Sequence, residues 1–282
     1  MVQLLSDTIP NYPPAIVEKY NIHLIPTYVT IGTEVVRDYI DLSSEEFYRR
    51  LPLLDNIPFT SQPSVNDFIE TYSRIRARHP DEPIISIHPS LKLTGTVQSA
   101  RKAVEKMDAT DSIHVFDTYS VGVAQGMMTL EAARMCDAGE SVEAIMQRMQ
   151  AMRSSHEFFM ALDTLEYLAK SGRIGRAARV LGTLLDMKPI IGLVEGEITS
   201  HSRHRSFDRA INALAELLVN SVGSKQNVRL GIAHSAVPDK AKALADRVSA
   251  VVDAYDILIA ETGPSLGAHV GPGTLAIAWW AP

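Results

Sequence analysis

The chain has 282 residues, 46% of them hydrophobic and 21% charged, with a net charge of −6. That length and composition suit one large or two ordinary globular domains and argue against bulk nucleic-acid binding. A single cysteine, Cys136, excludes an intrachain disulfide and a cysteine-based zinc cluster. No apolar run approaches the roughly 18 residues of a membrane span. The opening MVQLLSDTIP lacks the basic and apolar segments of a signal peptide. The expectation is a cytoplasmic protein without stable membrane insertion.

In chain order, Val2–Leu5 reads as a strand, and Pro13-Pro14 opens a helix reaching about Tyr20, since proline suits a first helical turn. Ile22–Ile31 reads as one long strand turned by Gly32-Thr33. Ser43 and Glu46 have capping-box spacing for a helix to about Leu54. Pro58–Pro63 reads as a polar loop, and Ser64 caps a helix over Val65–Arg78. Further along come a strand at Pro83–His88, a loop at Pro89–Gly95, a helix at Thr96–Lys106 and a strand at Ile113–Phe116. Helices follow at Val123–Asp137 and Val142–Arg153. Strand and helix alternate throughout, the pattern of a parallel sheet with covering helices. Such sheets bind ligands on loops after strand carboxyl ends, which marks Thr60-Ser61, Ser90–Thr96 and Asp117–Ser120.

Glu157–Leu162 reads as a strand and the start of a second domain. Asp163 and Glu166 begin a short helix that Gly172 ends, and the basic stretch Arg173–Leu185 reads as partly helical. Pro189–Val194 and Glu197–Ser202 form a hairpin across Glu195-Gly196. A helix at Phe207–Val219 follows, then strands at Val228–Ala233 and Asp256–Ala260 around a helix at Pro238–Val252. Ile257–Ala260 and Leu275–Trp279 read as a closing hairpin around a loop rich in Gly and Pro. The expected architecture is α/β in two domains, a parallel-sheet domain over 1–155 and a mixed-sheet domain over 156–282, with a ligand between them.

Several motifs could carry chemistry. Gly263-Pro264-Ser265-Leu266-Gly267 has the form of a hydrolase nucleophile elbow, which needs a following helix and a later acid and histidine. Gly271-Pro272-Gly273 forbids a long helix there, and no Asp or Glu follows Ser265. A small-molecule hydrolase or transferase using Ser265 or His269 therefore stands only as the alternative. Gly271–Ala276 resembles a dinucleotide fingerprint but leaves no room for the rest of the unit. His201 and His204 have a metal-compatible spacing, yet Arg203 and Arg205 beside them disfavour a cation, so no metal site is expected. Thr60-Ser61 and Thr94-Gly95-Thr96 place hydroxyls and amides at strand-to-helix junctions, where an anion can be held. Capping alone explains them unless the two loops converge. Arg173, Arg176 and Arg179 form one basic run and Arg203, Arg205 and Arg209 another. Each is either a solvated face or a docking patch for an acidic or phosphate-bearing partner.

Five segments together resemble one family. They are Thr60-Ser61-Gln62-Pro63-Ser64; Ser86-Ile87-His88-Pro89-Ser90 with Leu93–Ala100; Asp163–Leu168 with Gly172-Arg173-Ile174; Lys188-Pro189-Ile190; and Gly263-Pro264, Gly267, His269 and Gly271-Pro272-Gly273. In order and over essentially the whole chain, they are similar to the motifs of the DegV family of bacterial fatty-acid-binding proteins. The resemblance implies two α/β domains around one long-chain fatty acid, with no cofactor and no catalysis by the protein itself. It implies that Thr60, Ser61, Thr94, Gly95, Gly267 and His269 surround the carboxylate while the acyl chain fills an apolar tunnel. It implies a separate fatty-acid kinase that converts the bound acid to an acyl phosphate, with Arg173 and Arg203 as the residues facing it. The chain departs from the family's pattern at Leu91 and at Thr94, each in place of a serine, and in its opening segment, Asp7–Pro13.

Overall fold

The structure is a computed structural model, and it describes residues 1–178, 187–223 and 225–282. Its first layer of strands is a four-stranded, all-parallel sheet. The strands are β1 (Gln3–Asp7), β2 (His23–Ile25), β6 (Ile84–His88) and β7 (Ile113–Asp117), in the order β2-β1-β6-β7. The two central strands are buried on both faces, as a parallel sheet covered by helices requires. On one face, α3 (Val65–Arg78) and α4 (Thr96–Lys106) pack Phe68, Tyr72, Ala100 and Ala103 against Leu5, Ile84 and Ile113. Ser64 starts α3 through a complete capping box with Asp67.

The other face meets α5 (Val123–Asp137), and beyond α5 lies a second sheet. This mixed sheet has six strands: β8 (Glu157–Ala161), β9 (Lys188–Val194), β10 (Glu197–His204), β11 (Val228–His234), β12 (Ala254–Glu261) and β13 (Leu275–Trp280). Their order is β10-β9-β8-β13-β11-β12, with only β11 and β12 parallel. Its far face is covered by α8 (Phe207–Val222) and α9 (Pro238–Ser249), through Leu214, Leu218, Leu244 and Val248. Helix α5 is thus clamped between two sheets, and every residue from Val123 to Ala133 is buried. One apolar cluster runs from Leu4 and Ile87 through Met127 and Met128 to Phe158, Met160 and Trp280.

A third, antiparallel sheet of β3 (Tyr28–Ile31), β4 (Glu34–Arg37) and β5 (Phe59–Ser61) stands at the edge in the order β4-β3-β5. It has its own small core with α2 (Ser44–Arg50), built on Val29, Val36, Phe47 and Tyr48.

Four expectations need correction. The single strand over Ile22–Ile31 is two strands in two sheets, β2 and β3. Pro26 cannot donate to a ladder, and the Thr27 amide turns aside to the Thr8 hydroxyl at 3.1 Å. The loop at Pro58–Pro63 contains β5, which pairs with β3. The helix from Ser43 is α-helical only to Arg50 and continues as a 3-10 turn over Leu51–Leu53, where Pro52 has no amide to continue the ladder. The closing hairpin is no hairpin: α10 (Pro264–Val270) intervenes, and β11 lies between β12 and β13. Of the expected helix over 173–185, residues 179–186 lie outside the described residues, Arg179 among them.

Candidate functional site

The candidate site is a narrow cavity, partly open to solvent; about 750 Å³ of space lies between its walls when the solvent at its mouth is counted. It lies where α10, β5 and the loop before α4 face the strands β8, β9 and β10. Its walls are mostly apolar and include Phe158, Met160, Leu168, Ile191, Leu193 and Ile198. Polar groups on the wall are Thr27, Thr60, Ser61, Gln62, Thr94, Arg173, Ser265 and His269.

Local structure explains each placement. Strand alternation turns Phe59 outward, 77% exposed, and brings Thr60, paired with the buried Val29, inward. Ser61 is exposed at the cavity's edge. Ser64 caps its helix, but Thr94 does not. The N-cap of α4 is Gly95, with no side-chain cap bond, and the Thr94 hydroxyl instead lies 3.0 Å from that of Thr96. Capping therefore accounts for Ser64 and leaves Thr94 unexplained by it. Thr60-Ser61 and Thr94 converge on one cavity.

His269 comes from the last turn of α10. Its Nε2 lies 2.7 Å from the Thr60 hydroxyl, and its Nδ1 is buried without a partner among the described residues. Burial, followed by the nearby positive charge of Arg173, pushes its pKa down to about 4. The ring is neutral at physiological pH. Whichever nitrogen carries the hydrogen, one polar atom of the ring remains for a ligand. Arg173 lines the cavity with its side chain largely exposed, and its guanidinium donates to the Ser171 carbonyl at 2.6 Å.

Other expected residues sit elsewhere. Gly95 is off the wall; a Cβ there would meet the Gln62 side chain at 3.0 Å. Gly267 is also off the wall. A Cβ there would stand 2.7 Å from the Tyr48 hydroxyl and 2.8 Å from the Phe47 ring, so glycine lets α10 close on α2. Arg203 is on the outer strand β10, opposite Pro189, and Arg176 pairs with Glu197 at 2.9 Å. His201 packs its ring against Phe159, and the His204 ring contacts the Ser202 hydroxyl at 2.9 Å. Among the described residues, no three His, Cys, Asp or Glu converge as a metal site would need.

The hydrolase alternative finds no support in this geometry. Ser265 and His269 share a helix, but among the described residues no hydrogen bond joins them and no carboxylate orients the His269 ring. A Ser-His-Asp sequence of contacts does exist in the parallel sheet. His88 Nδ1 is 2.8 Å from Asp7, and its Nε2 is 2.7 Å from Ser86, which accepts from the Tyr72 hydroxyl at 2.8 Å. Asp7, Ser86 and His88 are each 0% exposed and none lines the cavity; they bind β1, β6 and α3 together.

Sequence reasoning passed over Asp38. It is fully buried, accepts from the hydroxyls of Thr27 and Thr8 at 3.1 and 3.3 Å, and lies near the backbone amide of Ser265. Burial pushes its pKa up to about 7. Nothing in the local pattern around Asp38 announces burial, because its neighbours Arg37, Tyr39 and Asp41 are those of an ordinary surface turn.

The fold and site together define a class: an α/β protein of two stacked sheets with a largely apolar cavity that carries hydroxyls and a neutral histidine on its wall. The sequence matches the family described as "Uncharacterised protein, DegV family" over residues 1–281, and the chain belongs to the DegV family. It is 28% identical over 282 residues to the DegV domain-containing protein BH3627 of Halalkalibacterium halodurans, covering 99% of this chain and 98% of the relative. Among solved structures it is similar to a DegV family protein from Thermus thermophilus, described by its fatty-acid binding. The TM-score is 0.93 at 29% identity, over 100% of this chain and 99% of that one. It is also similar to DegV of Bacillus subtilis, described as a fatty acid binding protein, with a TM-score of 0.88 at 27% identity over 100% and 99% of the two chains. Among the described residues, no helix is long and apolar enough to cross a membrane.

Proposed function

We infer that this protein binds one long-chain fatty acid between its parallel-sheet unit, 1–155, and its mixed-sheet unit, 156–282, and hands it on unaltered. The observation that carries this is the cavity itself, a mostly apolar wall bearing the Thr60–His269 pair. The fatty-acid binding described for the Thermus and Bacillus relatives supports the same reading. A buried carboxylate must have its acceptors satisfied or lose several kcal/mol to desolvation. Ser61, Thr94 and the Thr60–His269 pair supply donors, the pair through whichever member keeps a free hydrogen, with Arg173 at the edge as a cation. Gly95 and Gly267 act indirectly, by seating Gln62 and α10. Each buried CH₂ of the tail adds roughly 0.8 kcal/mol, ample for tight binding without a cofactor.

The acid is then presented to a separate fatty-acid kinase, the partner that the family resemblance implies; the chain itself carries no P-loop. Arg173 and Arg203 face that partner.

The test is titration with palmitate and oleate. Thr94→Val and His269→Ala are each expected to weaken binding by roughly 10- to 100-fold, the loss of one hydrogen bond to a charged group, with the fold intact. Unchanged affinity in both removes these residues from the site. Arg203→Glu is expected to keep the lipid affinity and lower the yield of acyl phosphate with the kinase; an unchanged yield takes Arg203 out of the docking surface.

A further inference from the structure

Ser265 is the second residue of α10, only 4% exposed, and part of the cavity wall. A serine in a first helical turn ordinarily bonds its own backbone. Here the cap is Gly263, with no side-chain cap bond, and the Ser265 hydroxyl has no hydrogen-bond partner among the described residues. The threonines of the same wall are all engaged: Thr60 with His269, Thr94 with Thr96, Thr27 with Asp38. Behind the wall, the Asp38 carboxyl lies near the Ser265 amide, and its Oδ1 is buried without a partner among the described residues. The Ser265 hydroxyl therefore faces the cavity unused.

A saturated chain lying against that hydroxyl would leave it desolvated and unpaired, which is unfavourable. A ligand that brings its own hydroxyl removes the conflict. Helix α10 lines the cavity with Ser265, Leu266, His269 and Val270, so the cavity runs beside it. Ser265 and His269 are one turn apart on the same helical face. With a carboxylate at His269, the carbons passing Ser265 are those near the carboxyl end.

We propose that the cavity is selective for long-chain fatty acids carrying a hydroxyl close to the carboxyl group, β-hydroxy acids being the defining case, with the Ser265 hydroxyl as its hydrogen-bond partner. The proposal rests on the carboxylate lying at Thr60 and His269.

The experiment measures Kd for palmitate, β-hydroxypalmitate and a hydroxystearate substituted at mid-chain, with the wild-type protein, Ser265→Ala and Ser265→Thr. The wild type is expected to bind β-hydroxypalmitate at least as tightly as palmitate and to penalise the mid-chain hydroxyl. Ser265→Ala shifts the ratio about tenfold against the β-hydroxy acid, and Ser265→Thr, which keeps the hydroxyl, restores it. A ratio unchanged in Ser265→Ala, with palmitate still bound, overturns the proposal alone. So does a wild type that penalises both hydroxy acids equally. Failure of the wild type to bind palmitate or either hydroxy acid overturns the fatty-acid reading, and this proposal with it.

Discussion

His269 meets two opposing demands. It must be buried enough to exclude water from a head group, yet burial disfavours its charge. In the lipid-free protein the outcome is a neutral ring with a pKa near 4, against 6.5 for a free histidine. The sign of the stability effect follows. Above pH 6.5 neither the native nor the unfolded ring is protonated, and nothing is lost. As the pH falls from 6.5 towards about 4, the unfolded chain takes up a proton that the native site refuses, and the native state loses stability. Thermal denaturation of lipid-free His269→Gln should show a shallower fall across that window than the wild type. Equal falls in the two proteins would mean that the acid sensitivity lies elsewhere. A bound carboxylate would favour the imidazolium, so fatty acid should blunt the effect in the wild type and leave the variant as it was.

Helix α10 is short, seven residues, and owes its position to contacts rather than to propensity. Pro264 suits its first turn and Gly271, at φ +73°, ends it. It packs on α2, on β3 and β5, and on α7 (Glu166–Lys170). Gly267 is where α10 closes on α2, with the Tyr48 hydroxyl bonded to the Thr262 carbonyl at 3.0 Å and Phe47 0% exposed. Neither ring can swing aside. Gly267→Ala should therefore destabilise by about 1–3 kcal/mol through overpacking, a Tm loss of roughly 2–4 °C for each kcal/mol at this chain size. It should also weaken lipid binding, because His269 rides on the same helix. A Gly267→Ala protein as stable as the wild type in a thermal melt would show that α10 stands further from α2.

Across the whole molecule, the arrangement is five layers deep, with α5 buried between the two large sheets. Glu131 on α5, 5% exposed, accepts from Arg229 of β11 at 2.9 Å, and Gly231 lets β11 approach Val123. A helix with both faces committed leaves neither sheet a complete core of its own. The two halves should unfold together. Tryptophan fluorescence reports only on β13, through Trp279 and Trp280, whereas far-ultraviolet circular dichroism reports on the whole chain. Their thermal transitions should coincide, and Met128→Ala, at a 0% exposed position, should lower both by the same amount, about 2–5 kcal/mol. Two separated transitions would show that the sheets fold independently.

The helices at Val65–Arg78, Thr96–Lys106 and Val123–Asp137 are legible residue for residue in the sequence, because caps, apolar periodicity and glycine stops act within a few positions. The alternation that makes the fold α/β, and the motif string that places the chain in the DegV family, are legible for the same reason. Tertiary structure alone decided the rest. It split Ile22–Ile31 between two sheets, inserted β11 between β12 and β13, and turned Arg173 into the cavity wall. It brought His269 to Thr60 across 209 positions, buried Asp38 behind Ser265, and made Gly267 a packing contact. Strand order and the approach of two surfaces depend on contacts between residues far apart in the chain, whose energies no local pattern contains.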